Sequence, residues 1–206
     1  MLSQSVASEL REAISAGEFQ PGEQLSEVKA AERFHCSRNT LRESFTRLAA
    51  ERIVERIPNR GVFLAMPDAD YIRDLFAARA AIEPAAVRWG AFADAPSLVT
   101  LTSSAFDYAA RGEHQEVSAI NQRFHRTLVA ALGSPTLNEQ MDNLLARMRL
   151  TFLLAIPRYP QLHADHVQGN ITLATLIADG KRREAATLAH DSLMNTCEKI
   201  LAVLDD

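Results

Sequence analysis

Apolar positions recur every three to four residues through most of this 206-residue chain, the period of helices that bury one stripe. Val6, Leu10 and Ile14 predict a first helix over 5–16 that ends near Gly17. Pro21-Gly22 supplies a turn, and Ser26 can cap a second helix running to Phe34. After a break at His35-Cys36, Ser37 is a good N-cap for a third helix reaching about Glu51. The period then changes. Residues 53–57 and 61–65 read as two strands, with Pro58-Asn59-Arg60-Gly61 as the turn between them. Three helices followed by a β-hairpin is the element order of a winged helix-turn-helix.

Met66-Pro67-Asp68 interrupts the pattern and sets the expected boundary, residues 1–67 on one side and 68–206 on the other. Beyond it six amphipathic helices fit, at about 69–92, 97–111, 114–132, 136–156, 166–179 and 181–204. Their breaks fall at Pro96, Gly112, Gly133-Ser134-Pro135, Pro157 to Pro160 and Gly180. The expected fold is therefore mainly α: a winged helix followed by an all-α antiparallel bundle long enough to bury a continuous core.

Composition adds exclusions. Apolar residues make up 47% and charged residues 23%, ordinary for a globular protein. No apolar run approaches the roughly 20 residues that span a bilayer, and the first ten residues lack a signal-peptide pattern. Cys36 and Cys197 stand far apart in helical patterns and read as reduced thiols. The expectation is a cytoplasmic protein with no membrane partner. The net charge of −4 hides a gradient, because residues 33–60 carry seven arginines against Glu43, Glu51 and Glu55. A basic patch on an acidic body suits local contact with phosphates.

The third helix opens Ser37-Arg38-Asn39-Thr40-Leu41-Arg42. Arg38 and Arg42, four apart, share a helix face and can each grip guanine in bidentate fashion or neutralise a phosphate. Ser37 and Thr40 can reach phosphates, and Asn39 a base edge. Leu41, Phe45 and Leu48 are spaced to face the core of the small domain. Arg60 and Gly61 stand at the hairpin tip, where a long cation can enter a minor groove. The alternative is a solvated helix whose arginines pair with Glu43 and Glu51.

The stretch from Leu10 to Leu64, with its runs ISAGEFQPGEQLSE, CSRNTLRESFTRL and IVERIPNRGVF, resembles the DNA-binding domain of the GntR family of bacterial regulators. The resemblance implies operator contacts from Arg38 and Arg42 and a minor-groove approach by Arg60-Gly61. Asn39-Thr40 departs from the Thr-Pro found in many members. The second half resembles the FadR-like branch, whose C-terminal FCD-type domain is a ligand-binding helical bundle that often holds a divalent metal. The carrying features are Arg79 to Glu83, Asn121 to His125, Leu176 to Gly180 and His190. Six helices match the shorter VanR-like group.

In metal-binding members the ligands follow D-x3-H, then a histidine 43 residues on and another 22 after that. Applied here, the spacing falls on Asn121, His125, Gln168 and His190. All four are expected to face inward, and two differ in type from the family's ligands. Three readings follow. Asn121, His125 and His190 hold zinc, nickel or manganese with weakened ligation, His163 or His166 substituting for Gln168 if the chain is shifted. Alternatively, the same side chains and Gln168 bind an effector directly without metal. In the third reading they form a polar core satisfied by buried water. Arg79 matches an inward arginine that pairs with an effector carboxylate, a role for which Arg147 and Arg149 are weaker candidates.

The combined expectation is a homodimeric transcription regulator on a palindromic DNA operator, its affinity altered by a small organic acid. Repression relieved by the effector is the commoner mode the resemblance implies. A helical metalloenzyme is a rival, but paired Glu-x-x-His motifs are missing and the winged helix would go unexplained. A constitutive architectural DNA binder is the other rival, and an inward polar cluster counts against it.

Overall fold

The computed structural model describes residues 2–205, without the side chain of Leu2. It divides into two compact units, residues 1–68 with 143–154, and residues 69–142 with 155–206. The division near residue 68 lies beside the Met66-Pro67-Asp68 break. The segment 143–154, which the sequence pattern assigns to the helical domain, groups instead with the N-terminal residues. Residues 144–152 are buried on every face of their helix, the behaviour of a helix enclosed by neighbours rather than one lying on a surface.

The first unit runs α1 (Leu2–Ser15), β1 (Gln24–Leu25), α2 (Glu27–Arg33), α3 (Arg38–Ala50), β2 (Val54–Ile57) and β3 (Gly61–Leu64). Ser26 and Ser37 cap α2 and α3, their side chains accepting from the amides of Lys29 and Thr40. The strands form one antiparallel sheet in the order β1-β3-β2. The two-residue β1 escapes any periodicity argument because two residues carry no period. Leu10 and Ile14 of α1 meet Leu41, Phe45 and Leu48 of α3 in a fully buried core. Arg11 adds a bidentate pair to Glu51 at the end of α3, with N–O distances of 2.7 and 2.8 Å. Together these contacts fix α3, the element that must present a reading surface.

The second unit contains α4 (Ala69–Trp89), α5 (Ala95–Ala110), α6 (His114–Ala130), α8 (Leu162–Ala178) and α9 (Arg182–Asp205), with the ends of α7 (Pro135–Ala155). α4 lies along α9, and α5 packs on α6 and α8. Val87, Leu98, Phe124, Leu128 and Ile177 form one core cluster, each contributing on the order of 2 kcal/mol by leaving water. α8 begins four residues earlier than the pattern predicts, which adds His163 to the helix that already carries His166. Among the described residues no helix is long and apolar enough to cross a membrane.

Candidate nucleic-acid interface and effector cavity

On α3 the capping geometry sets what is exposed. The Ser37 hydroxyl is engaged twice, by the Thr40 amide at 3.1 Å and the Thr40 hydroxyl at 2.9 Å. Ser37, Arg38, Asn39 and Arg42 are exposed and Thr40 is half-buried. Arg42 is already occupied. Its Nε donates to both Glu27 oxygens at 3.1 Å and its Nη2 to Oε2 at 2.9 Å. That pairing holds the Glu27 carboxyl below its ordinary pKa and raises that of Arg42. The expected partners, Glu43 and Glu51, are not the ones used: Glu51 serves Arg11, and α2 supplies the carboxylate for Arg42.

At the hairpin tip Asn59 and Gly61 both have positive φ, 61° and 110°. A tight hairpin needs that conformation, which asparagine and glycine adopt most readily. Arg60 between them is exposed, with its guanidinium carbon 5.6 Å from the Phe63 ring centre. Gln24 of β1 donates to the Arg60 carbonyl at 2.8 Å, so β1 steadies the tip.

The helical unit contains a partly open cavity of about 120 Å³ between α4, α6, α8 and α9. Arg79 and Glu83 of α4 and His125 of α6 belong to its wall. Arg79 Nε donates to Glu83 Oε1 at 2.6 Å, and His125 Nδ1 donates to Glu83 Oε2 at 2.6 Å. Arg79 is 2% and Glu83 1% exposed. Burial alone would raise the Glu83 pKa, but the neighbouring Arg79 and His125 overturn that and hold it at about 2. The family's inward arginine is thus neutralised from within its own helix, one turn away.

α8 and α9 complete the wall with His166, Asn170, Ser192, Thr196 and Lys199. The His166 Nδ1 lies 2.6 Å from the Leu162 carbonyl, which can only accept, so Nδ1 carries the proton. Burial, with smaller contributions from His125, Arg79 and His163, lowers the ring's pKa to about 4 despite that bond. A neutral ring protonated on Nδ1 leaves Nε2 as an acceptor, 3.4 Å from the Thr196 hydroxyl. Asn170 Nδ2 donates to Asn121 Oδ1 at 2.7 Å. At the wall's exposed side Tyr159 hydrogen-bonds Asp165, and Lys199 Nζ donates to the same carboxylate at 3.3 Å.

Of the expected pocket residues, Arg79 and His125 line the cavity, and Asn121 lines an adjoining void of about 10 Å³. Gln168 and His190 do neither. Both are exposed, with His190 Nδ1 3.1 Å from Asp191 on its own helix. The buried stripe of α9 runs through Ala185, Ala189, Leu193 and Cys197, and His190 sits beside it rather than in it. Two residues later on each helix, Asn170 and Ser192 reach the cavity and keep the 22-residue interval. The inward set is therefore displaced by two. Asn121, His125 and His190 are not brought together as a metal site. Among the described residues no group of three or more His, Cys, Asp or Glu side chains is placed to hold a metal ion. The Asn121 oxygen is committed to Asn170, the His125 Nδ1 to Glu83, and Gln168 and His190 lie on the surface. Zinc, nickel or manganese does not fit this donor set.

The cavity residues that spacing alone does not single out had partial signals. Glu83 lies one turn from Arg79 in a quoted motif, and His166 was an alternative only if the chain shifted. Lys199 carried none, being one cation on a long polar face. Arg147 and Arg149, both buried, fall in the segment that groups with the N-terminal unit.

Comparison with known proteins agrees with both halves. The model described as bacterial regulatory proteins, gntR family, matches residues 2–64, and that of the FCD domain matches residues 74–195. The chain is 26% identical over 189 residues to the Nta operon transcriptional regulator of Aminobacter aminovorans, covering 90% of this chain and 88% of that protein. It is 28% identical over 197 residues to the HTH-type transcriptional repressor GlaR of Escherichia coli K12, covering 88% of each. A crystal structure of a putative transcriptional regulator GntR from Rhodococcus sp. RHA1 superposes with a TM-score of 0.82 at 29% identity, over 97% of both chains. A winged helix with an exposed cationic recognition helix, a cavity lined by charged and polar side chains in a helical unit and these matches lead to one conclusion: the chain belongs to the GntR family of bacterial transcription regulators with an FCD C-terminal domain, a non-enzymatic, DNA-binding family.

Proposed function

We propose that this protein is a cytoplasmic, homodimeric repressor whose hold on a palindromic operator is altered by a small carboxylated metabolite bound in its helical unit. The observation that carries the reading is the cavity between α4, α6, α8 and α9, with Arg79, Glu83, His125 and His166 in its wall. A constitutive architectural binder has no need of a polar chamber in its bundle, and leucine would fill the space. In this reading residues 1–67 read DNA and the C-terminal helices sense the effector and dimerise. Arg38, Asn39 and Arg42 face the major groove, Ser37 and Thr40 lie near the backbone, and Arg60-Gly61 enters the minor groove. Arg42 reaches DNA with Glu27 steering it, which suits a base contact better than a mobile phosphate contact. A relative named as a repressor supports the sign of the response.

The test is a gel-shift titration at fixed salt on a duplex selected from a random library. Arg38→Ala and Arg42→Ala each cost about 1–3 kcal/mol of specific affinity where the arginine meets a base. Organic acids added to the wild-type complex release the duplex. Unchanged affinity in both variants removes the recognition-helix assignment. A monomer in sedimentation of the full chain removes the two-fold arrangement.

A further inference from the structure

The buried face of the small sheet carries one residue of the wrong kind. Val54 and Arg56 share a side of β2, and the antiparallel register sets them opposite Leu64 and Val62 of β3. Directly opposed residues point to the same face. Val54, Val62 and Leu64 are buried apolar side chains, whereas Arg56 is an exposed cation. A period-two pattern calls for another apolar residue there, and a local rule broken with no gain in packing points to function. The Arg56 head is aimed at the recognition helix. Its Nη2 donates to the Arg42 carbonyl at 3.3 Å, an oxygen that already accepts from the Thr46 hydroxyl at 2.9 Å. This long bond to a shared acceptor uses little of what a guanidinium can donate. Its other N–H groups have no protein partner among the described residues. The surroundings are cationic. Arg38, Arg42 and Arg56 all act on Glu27 and help to lower its pKa, and that carboxylate is committed to Arg42. Three cations from α3 and β2 thus stand around one carboxylate, a local surplus that attracts anions.

We propose that Arg56 is a DNA-contacting residue outside the recognition motif: its guanidinium neutralises a backbone phosphate beside the bases that α3 reads, so that β2 and the recognition helix grip the duplex together. The assignment rests on the DNA-reading role of α3 proposed above. A helix in the major groove is flanked by the phosphates of both strands. A guanidinium beside the turn of α3 that carries Arg42 meets a phosphate there rather than a base edge. Arg56 therefore adds affinity without adding sequence preference, and its effect falls as salt rises.

The experiment titrates a selected duplex and a scrambled one of equal length with the full-length protein at several salt concentrations. Arg56→Gln should weaken both several-fold at the lowest salt and keep the preference between them. The slope of log affinity against log salt should become shallower by about one per bound head. Arg56→Lys, which keeps the charge, should keep most of the slope. Arg56→Val restores the apolar pattern of the sheet face. It should resist urea at least as well as wild type and bind DNA as weakly as Arg56→Gln, which keeps the test open if glutamine unsettles the strand. Neutral methylphosphonates placed one at a time along the selected duplex then locate the contact. One position should weaken wild type and leave Arg56→Gln unaffected. A wild-type slope in Arg56→Gln, or wild-type sensitivity to every methylphosphonate, overturns the proposal. Loss of preference for the selected duplex at unchanged slope also overturns it, and makes Arg56 a positioning residue that acts through the Arg42 carbonyl. Arg38→Ala, measured alongside, separates the two readings. If it too binds like wild type, the DNA-reading role of α3 falls as well; if it is weakened while Arg56→Gln is not, only the Arg56 contact falls.

Discussion

Arg42 with Glu27 and Arg79 with Glu83 are the same chemical pair placed in opposite surroundings. The first joins α3 to α2 on the surface, its side chains 56% and 33% exposed, and uses three donor–acceptor contacts. The second lies inside α4, with Arg79 Nε 2.6 Å from Glu83 Oε1 and almost no exposure. Contact geometry favours the first, but surroundings decide the energetics. Water and salt compensate the loss of an exposed pair, whereas nothing compensates a buried charge stripped of its counter-ion. The two pairs accordingly serve different ends. The surface pair can be exchanged for phosphate or base contacts without endangering the fold, and the buried pair is structural and sets the polarity of the cavity around it.

Removing one carboxylate from each pair separates the two cases most sharply. Glu83→Gln leaves the Arg79 guanidinium and the His125 ring inside the bundle without their shared anion, and should cost about 3–5 kcal/mol of stability. Glu27→Gln should change stability by less than about 1 kcal/mol. Thermal or urea denaturation of both variants measures the difference. Equal effects would mean that the Glu83 site is wetter than its burial indicates.

How much of each region the sequence reveals follows from the same contrast. The α3 surface is local: a cap, two arginines four apart and a hairpin tip all lie within 25 residues, so an i,i+4 rule finds them. What it misses is the partner of Arg42, because Glu27 belongs to another helix and no spacing rule connects them. The cavity is assembled from four helices, so each contribution depends on helix phase. An error of two residues turns a side chain by about 200° around its axis. That is why Gln168 and His190 fall outside while Asn170 and Ser192 fall inside, with the interval between them unchanged.

The neutral His166 ring makes the cavity sensitive to acid, and the sign can be worked out. An unfolded chain protonates this histidine near pH 6.5, while the folded one resists until about pH 4. Between these values the unfolded state binds more protons, so stability is full above pH 6.5 and falls as the pH is lowered. The loss amounts to roughly 3 kcal/mol at pH 4. Glu83, with its pKa lowered from 4.5 to about 2, adds a further loss only below pH 4.5. Denaturation midpoints for wild type and His166→Gln between pH 7 and 4 test the assignment. The variant should lose the part of the slope above pH 4.5, and identical slopes would show that the ring titrates normally.

The smallest effect belongs to the exposed region again, at the hairpin tip. Arg60 has water on most sides, and its contact with the Phe63 ring is one that an exposed cation can exchange at little cost. Arg60→Ala should therefore leave folding unchanged. Its loss should be felt on DNA alone, as an affinity decrease of about 1 kcal/mol spread nearly evenly over sequences, because the minor groove distinguishes little beyond A·T from G·C. If the guanidinium neutralises one phosphate, the slope of log affinity against log salt becomes shallower by about one. Titrations at several salt concentrations on selected and scrambled duplexes separate the alternatives. A variant that keeps the wild-type slope but no longer prefers the selected duplex places Arg60 on a base edge. In that event the division drawn here, with α3 reading sequence and the wing adding charge, is wrong for the wing. The Asn59 and Gly61 conformations would then serve to aim a reading side chain rather than to let a cation approach the backbone.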